Sequence, residues 1–338
     1  MFFCDYFNEV FVNEGNMNID SVISHTEDTN VEITEKKVRK MLYAAKIDKS
    51  PGPDGIHPLF LHNTAEEVAG PLTLIFKKSL AEGILLHDCK RANITPIYKK
   101  GARNEAGNYR PVSFTSVVCE ILEVMIKDSM LQFLVESQWL TLKHHGFVSG
   151  RLCLTNLLES FENWTELLDE GHGIDVIYLD YRKAFDTVPH KRLLTKVQQG
   201  GIGGRVLNRI KAFLSDREMS VVVNKHFFAW APVVSGVPQA SVLGPLLFLM
   251  YVNDVPDWIV QNMRMFVDDK KLWSKISGLS DCVHLQADLD QLSIRSDKWL
   301  LSFNPDKCKV MRVVHSFTTH YCKTILHTDY WRLRKKGI

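Results

Sequence analysis

The sequence has no paired-cysteine spacing. Seven cysteines are scattered singly along 338 residues, and none forms a CxxC pair, which excludes the usual zinc and redox motifs. An odd, dispersed set fits reduced thiols in a cytosolic or nuclear protein. It also has no long hydrophobic run. The longest, Val242 to Val252, contains Gly244 and Pro245 and falls far short of the ~20 residues a membrane span needs. The apolar start, Met1 to Phe7, is broken by Asp5 and has no basic segment before it, so no signal peptide is read. Cytoplasm and nucleus, with no membrane, are the expected setting. An excess of either charge is missing too. With 41 Lys and Arg against 39 Asp and Glu, the net charge is +2, so any role with nucleic acid must rest on where the charges lie. There is no internal repeat and no low-complexity tract.

Several helices and strands can be read from pattern. Residues 1 to 31 are polar and predict a loosely held leader or linker. Val38, Leu42 and Ala45 share a helical face, with Thr34 as N-cap. The two prolines and two glycines of Lys49 to Gly55 end that helix. Helices are predicted over 64–82, 115–135, 154–169, 190–214, 241–251 and 279–300. Strands are predicted over 92–98, 176–179, 219–223, 227–234 and 309–313, with two short strands around a carboxylate turn within 264–273. Helices first and mixed elements afterwards give an α+β fold rather than a βαβ alternation.

The chemistry lies in the carboxylates. Asp180 ends an apolar strand, and Asp268-Asp269 sits between two short strands. Magnesium takes carboxylate oxygens together with substrate phosphates. Two such ions about 4 Å apart activate an attacking hydroxyl and stabilise a leaving group. That chemistry needs carboxylates from separate strands brought side by side. A lone Asp-Asp pair is more often a solvated acidic turn, so its neighbours must decide.

Those neighbours are specific. Asp180-Tyr181-Arg182-Lys183-Ala184-Phe185-Asp186 is followed by Ser235-Gly236-Val237-Pro238-Gln239-Ala240-Ser241-Val242-Leu243-Gly244-Pro245, and then by Phe266 to Trp273. Ahead of them stand Lys49 to Ile56, Ile94 to Lys100, Asn108 to Ser113, and His145-Gly146-Phe147 with Gly150-Arg151 and Leu154 to Leu158. Behind them stand Trp299 and Phe303 to Lys309. In this order, over about residues 32 to 314, the blocks resemble the reverse transcriptases of LINE-type (non-LTR) retrotransposons, the jockey-like RNA-directed DNA polymerases of mobile elements.

The resemblance implies a right-hand polymerase. Its fingers would span 32–170 and its palm 171–314. The ends are expected to depart from the family: residues 315–338 read as a divergent basic tail with the thumb truncated or vestigial, and no endonuclease is read ahead of the chain, although such elements often encode one. The implied reaction is template-directed addition of dNTP to a primer 3′-hydroxyl on an RNA template. It would use two Mg2+ ions, with Mn2+ as a substitute, held by Asp180, Asp268 and Asp269. Lys99 and Arg110 would contact the triphosphate, Phe185 would exclude a 2′-hydroxyl, Gln239 would lie by the nucleotide, and Arg151 would hold the template backbone. Some positions depart from the family pattern: Ala240 replaces a usual Gly, Val148 a usual basic residue, and Lys270 a usual small Thr, which places a cation near the metals, while Val267 is a mild change. The alternative is a catalytically weak or inactive nucleic-acid-binding remnant of such an element. Without the resemblance, Lys99, Arg110 and Arg151 are solvated cations, Phe185 is core, and Gln239 is a turn residue.

Overall fold

The computed structural model describes residues 2–15 and 26–314. In chain order the elements are α1 (Phe2–Glu9), α2 (Glu35–Tyr43), α3 (Pro58–Asn63), α4 (Ala65–Glu82), β1 (Arg91–Tyr98), β2 (Tyr109–Phe114), α5 (Val117–Glu136), α6 (Cys153–Asp169), β3 (Gly173–Leu179), α7 (His190–Gln199) and α8 (Gly204–Leu214). They continue with β4 (Arg217–Val223), β5 (His226–Phe227), β6 (Ala231–Val233), α9 (Gly244–Val252), β7 (Asn262–Phe266), β8 (Asp269–Ile276), α10 (Leu279–Trp299) and β9 (Lys309–Val313). The fold is mixed α and β. Its long helices fall where apolar periodicity puts them, and Thr34 caps α2 by accepting the Lys37 N–H at 3.3 Å. The single helix read over 190–214 is two, because Gly200, Gly201 and Gly203 interrupt it; glycine weakens a helix interior and favours its ends. The expected tail at 315–338 lies outside the described residues.

The chain groups into two discontinuous units. The first takes residues 1–139 and 185–251, the second 140–184 and 252–338. The grouping follows packing, so it interleaves along the chain where the sequence reading divides it in succession.

The first unit carries a sheet of order β2-β1-β4-β5, with β6 also pairing β4. β1 and β2 are antiparallel, and β1 and β4 are parallel. On one face Ala92 and Ile94 of β1 meet Met219 and Val221 of β4, and Phe7 of α1 completes that buried cluster. The expected loose leader is therefore, over residues 2–15, a helix and arm docked on the sheet. The signal for it is Phe3 and Phe7 at i and i+4, stacked at 6.0 Å, a pair that faces one side of a helix. Cys89 and Cys119, expected as separate thiols, are joined by a disulfide in a small apolar cluster with Leu85. Their 30-residue separation carries no spacing signal for a pair made by packing.

The second unit carries an antiparallel sheet of order β7-β8-β3-β9. Trp164 of α6 packs with Ile174 and Val176 of β3 and Trp273 of β8. On β3, Asp175 is fully buried and takes a bidentate pair from Arg312 of β9, both contacts at 2.6 Å. Such a fork keeps the buried Asp175 charge from standing alone, with the arginine reaching in from the surface.

Candidate active site

Strand pairing builds the carboxylate cluster in the second unit. Leu179 of β3 faces Lys270 of β8, so the next step of the ladder sets Asp180 against Asp269. Phe266 and Asp269 close the β7–β8 hairpin, leaving Val267-Asp268 as a two-residue loop. Val267 takes φ +57° there. A loop this tight needs a positive φ at its first central residue, usually on glycine. A β-branched residue in that region is strained by about 1–3 kcal/mol, and such strain clusters at functional sites.

The charges act on one another. The Asp269 carboxyl is pushed up, first by desolvation and then by the negative charges of Asp268 and Asp180. Asp180 Oδ2 takes Lys307 Nζ at 2.8 Å, while its Oδ1 is buried without a donor. Asp180 is also tied through its backbone, where its carbonyl accepts the Asn304 N–H at 2.8 Å. Beside it, Tyr181 stacks on Phe303 at 4.7 Å. A cavity of about 320 Å³ opens over Asp180 and Asp269, lined also by Arg264, Lys271 and Lys307.

Lys270, the unusual residue after the aspartates, borders the same cavity and feels the charges of Asp268, Asp269 and Asp180. Strand alternation still sends its side chain to the opposite face from Asp269. It is buried, with its ammonium 3.4 Å from the Tyr181 ring centre and donating to the Asp268 carbonyl at 3.0 Å. Burial pushes its pKa down to about 7. Its amine thus braces the turn through the Asp268 carbonyl.

The residues suit a divalent cation. Three like charges interact and one buried carboxylate oxygen has no donor. Among the described residues no group of three or more His, Cys, Asp or Glu is arranged to hold a metal ion by itself. An ion held here would draw its other ligands from phosphate and water, which is the habit of magnesium.

The block expected on the template braces the same turn. His145 N–H donates to the Met265 carbonyl at 2.9 Å and Met265 N–H to Lys143 at 2.8 Å. Gly146 lies so close that a Cβ would meet Val267 at 2.5 Å. Arg151 is half-buried, and its Nη1 donates to the carbonyls of Thr141 at 3.1 Å and His144 at 2.9 Å. Part of its guanidinium is therefore engaged in holding this loop. Burial, with Lys270 nearby, pushes His144 down to about 4.

The remaining expected residues belong to the first unit. Lys99 and Arg110 are exposed on the β1–β2 hairpin. Ile97 pairs with Arg110, and Lys99 follows two residues later, so alternation gives both cations one face. Phe185 is half-buried, stacked on Phe248 at 4.6 Å and 19°. Gln239 Nε2 donates to Asp186 Oδ1 at 2.7 Å, and its carbonyl accepts the Ser113 N–H at 3.1 Å. Ser241 N–H closes a turn onto the Pro238 carbonyl at 3.2 Å, with Ala240 at φ +74°. A positive φ at the third turn residue is the type II pattern that favours glycine. Behind the turn, buried Glu123 accepts the N–H groups of Val242 and Leu243 at 3.2 and 3.3 Å, at the start of α9. Desolvation pushes that carboxyl up, opposed by Arg217 and Arg209.

Sequence reasoning missed Asp186 as the anchor of Gln239, Lys307 as the partner of Asp180, and Glu123 as the cap of α9. Lys307 lay within a matched block, so its place there was the available signal. Asp186 lay within a matched block as well, though its partner is 53 residues away, and Glu123, with partners more than 100 residues away, carried none.

Comparison with known proteins agrees with these blocks. Residues 97–325 match the family model described as reverse transcriptase (RNA-dependent DNA polymerase). The chain is 27% identical over 276 residues to the probable RNA-directed DNA polymerase from transposon X-element of Drosophila melanogaster, covering 79% of this chain and 30% of that protein. It is 26% identical over 293 residues to the RNA-directed DNA polymerase from mobile element jockey of the same species, covering 82% and 31%. The chain thus spans about a third of the length of the curated relatives it matches.

Proposed function

Because the chain belongs to the reverse transcriptase (RNA-dependent DNA polymerase) family, we propose that it is the polymerase portion of a non-LTR retrotransposon protein. In this reading it is a nucleotidyltransferase that adds dNTP to a DNA primer on an RNA template. The observation that carries the reading is the pairing of β3 with β8, which ranges Asp180 against Asp269 with Asp268 in the turn between β7 and β8.

Each residue has a role on this reading. Asp180, Asp268 and Asp269 would hold two Mg2+ ions, for which Mn2+ could substitute. Bound there, the ions would supply electrostatic stabilisation to the attacking and leaving oxygens of a phosphoryl transfer. The orphaned Asp180 Oδ1 and the upward-shifted Asp269 support that assignment. Lys99 and Arg110 would draw the triphosphate, the lysine as a point charge and the arginine as a planar fork. Phe185, with one ring face stacked on Phe248, would offer its other side to the sugar. Gln239, fixed by Asp186, would border the nucleotide. Arg151 would hold the template backbone, working from the loop it also stabilises. The right-hand arrangement of fingers and palm, with the second unit carrying the carboxylates, belongs to the same reading.

A second reading is a weakened nucleic-acid-binding remnant. Two observations favour it: Ala240 sits where the turn wants glycine, and Lys307 pairs with Asp180. Extension of a DNA primer on an RNA template, with Mg2+ and then Mn2+, decides between them. The polymerase reading requires extension by the chain and its loss in Asp180→Asn. Template binding without extension under either metal establishes the remnant.

A further inference from the structure

The nucleotide-facing residues of the first unit do not hold themselves in place. Phe185 and Asp186 lie on the loop before α7, and Gln239 on the turn after β6. The two segments are zipped together. Val237 N–H donates to the Phe185 carbonyl at 2.7 Å and Gly236 N–H to Val188 at 2.8 Å. His190 Nε2 lies 2.8 Å from the Gly236 carbonyl. Gly236, at φ +86°, approaches so closely that a Cβ would meet the Asp186 carbonyl oxygen at 2.7 Å.

The arm formed by α1 and the residues after it fastens this zipper at two points. At the first, Val12 N–H donates to Ser235 Oγ at 2.9 Å, and Ser235 Oγ donates to the Asp186 carbonyl at 2.9 Å. Asp186 is the residue that holds Gln239. At the second, Glu14 caps α7 from outside that helix. Pro189 stands at the N-cap and makes no side-chain cap bond. The Glu14 carboxylate instead accepts the N–H groups of Lys191 at 2.8 Å and Arg192 at 3.0 Å, and pairs with Arg192 Nη1 at 3.0 Å. The Glu14 side chain is only 9% exposed. A negative charge on the open N–H groups of a helix start is favourable both as a cap and against the helix dipole. Phe7, Val10 and Phe11 of the same arm line one side of a cavity whose other wall is Asp186 and Gly236 to Gln239.

We propose that Glu14 and Ser235 are positioning residues for nucleotide selection, acting through Asp186 and the α7 start to set Gln239 and Phe185. The proposal rests on the polymerase reading. Residues 2–14 then act as a strap on the nucleotide-facing loops.

The test uses the full chain and four variants: Glu14→Ala, Glu14→Gln, Ser235→Ala, and Glu9→Gln as an arm control at an exposed site. Amide hydrogen exchange, without nucleotide, reads the zipper directly. Single-turnover nucleotide addition reads KM, kcat and the deoxy-to-ribonucleotide ratio. Loss of a cap and its anchor is expected to speed exchange at Gly236 and Val237 and raise the dNTP KM by about three- to tenfold. kcat should change less than KM, and the deoxy-to-ribonucleotide ratio should fall. Glu14→Gln should recover part of the loss, since its amide oxygen still accepts, and Glu9→Gln should match the unmodified chain. Faster exchange at Lys191 and Arg192 with Gly236 and Val237 unmoved would show the cap to be local and overturn the proposal. So would folded variants whose KM and sugar selection are unchanged. If the unmodified chain adds no nucleotide, the polymerase reading falls and this role with it. An active chain with indifferent variants removes the role alone.

Discussion

Replacing Ala240 by glycine should stabilise the turn that carries Gln239. Ala240 is exposed and sits at φ +74°, with the Ser241 N–H closing on Pro238 at 3.2 Å. An L-residue in the left-handed region costs roughly 1–2 kcal/mol. Glycine removes that cost but returns roughly 0.5–1 kcal/mol of backbone entropy to the unfolded chain. The methyl group is exposed, so its removal forfeits little burial. The balance is a net gain of about 0.5–1 kcal/mol. At the scale of larger domains, that is a rise in Tm of roughly 1–4 °C. If the same strain lowers the population of the competent turn, single-turnover addition should quicken by at most about fivefold, because about 1.4 kcal/mol corresponds to a tenfold change. Differential scanning calorimetry and single-turnover kinetics would be run on Ala240→Gly and Ala240→Val. The expected order of stability is Gly, then Ala, then Val, because a β-branched residue is worst at positive φ. A glycine variant less stable than the unmodified chain, or a valine variant as stable, would refute the reasoning.

Asp269→Asn should abolish primer extension, by about a thousandfold or more if the carboxylate holds an ion essential to phosphoryl transfer. It should also raise Tm slightly, because it removes a charge opposed by Asp180 and Asp268; lost extension with lower stability would count against the crowding argument. Phe185→Val should raise ribonucleotide over deoxyribonucleotide incorporation in an otherwise active chain, and unchanged selectivity would remove Phe185 from sugar discrimination. His144 is buried, and its pKa falls to about 4. Its unfolded form takes a proton near 6.5 while the folded form stays neutral. Its stabilising contribution is therefore complete above 6.5 and fades as pH falls from there to about 4, by about 3–4 kcal/mol in all at about 1.4 kcal/mol per pKa unit. Urea unfolding at pH 7 and pH 5 should show this slope, and His144→Asn should flatten it.

Local pattern made much of this molecule legible. Periodicity located the long helices, and the strands flanking Asp268 and Asp269 followed from short apolar runs around an acidic turn. The carboxylates were legible because a metal-dependent transfer needs them on separate strands, and the ordered blocks narrowed the chemistry. Tertiary consequences were not. Lys270 was expected near the three carboxylates and lies there, but its burial against Tyr181, with the downward pKa shift that follows, was not legible. Val267 looked like a mild change and proves to occupy a strained loop position. Arg151 looked like a free basic residue and spends hydrogen bonds on its own loop. The docked arm was hidden because its partners, Ser235 and the α7 start, lie 223 and about 177 residues further on.

The interleaving of the two units also sets an order for vectorial synthesis. A ribosome that has emitted residues up to 251 has delivered every segment of the first unit. It has also delivered β3, but β8 and β9, which flank β3 on both edges, are still unmade. About 90 residues separate Leu179 from its partner Lys270, and pairing over such a distance is slow to close. During that interval Ile174, Val176, Ile177 and Leu179, all buried in the finished sheet, form an apolar strand with two open edges. Unpaired edges of this kind recruit other chains. Expression that stalls or is truncated between residues 251 and 269 should therefore yield aggregates seeded by the strand that ends in Asp180.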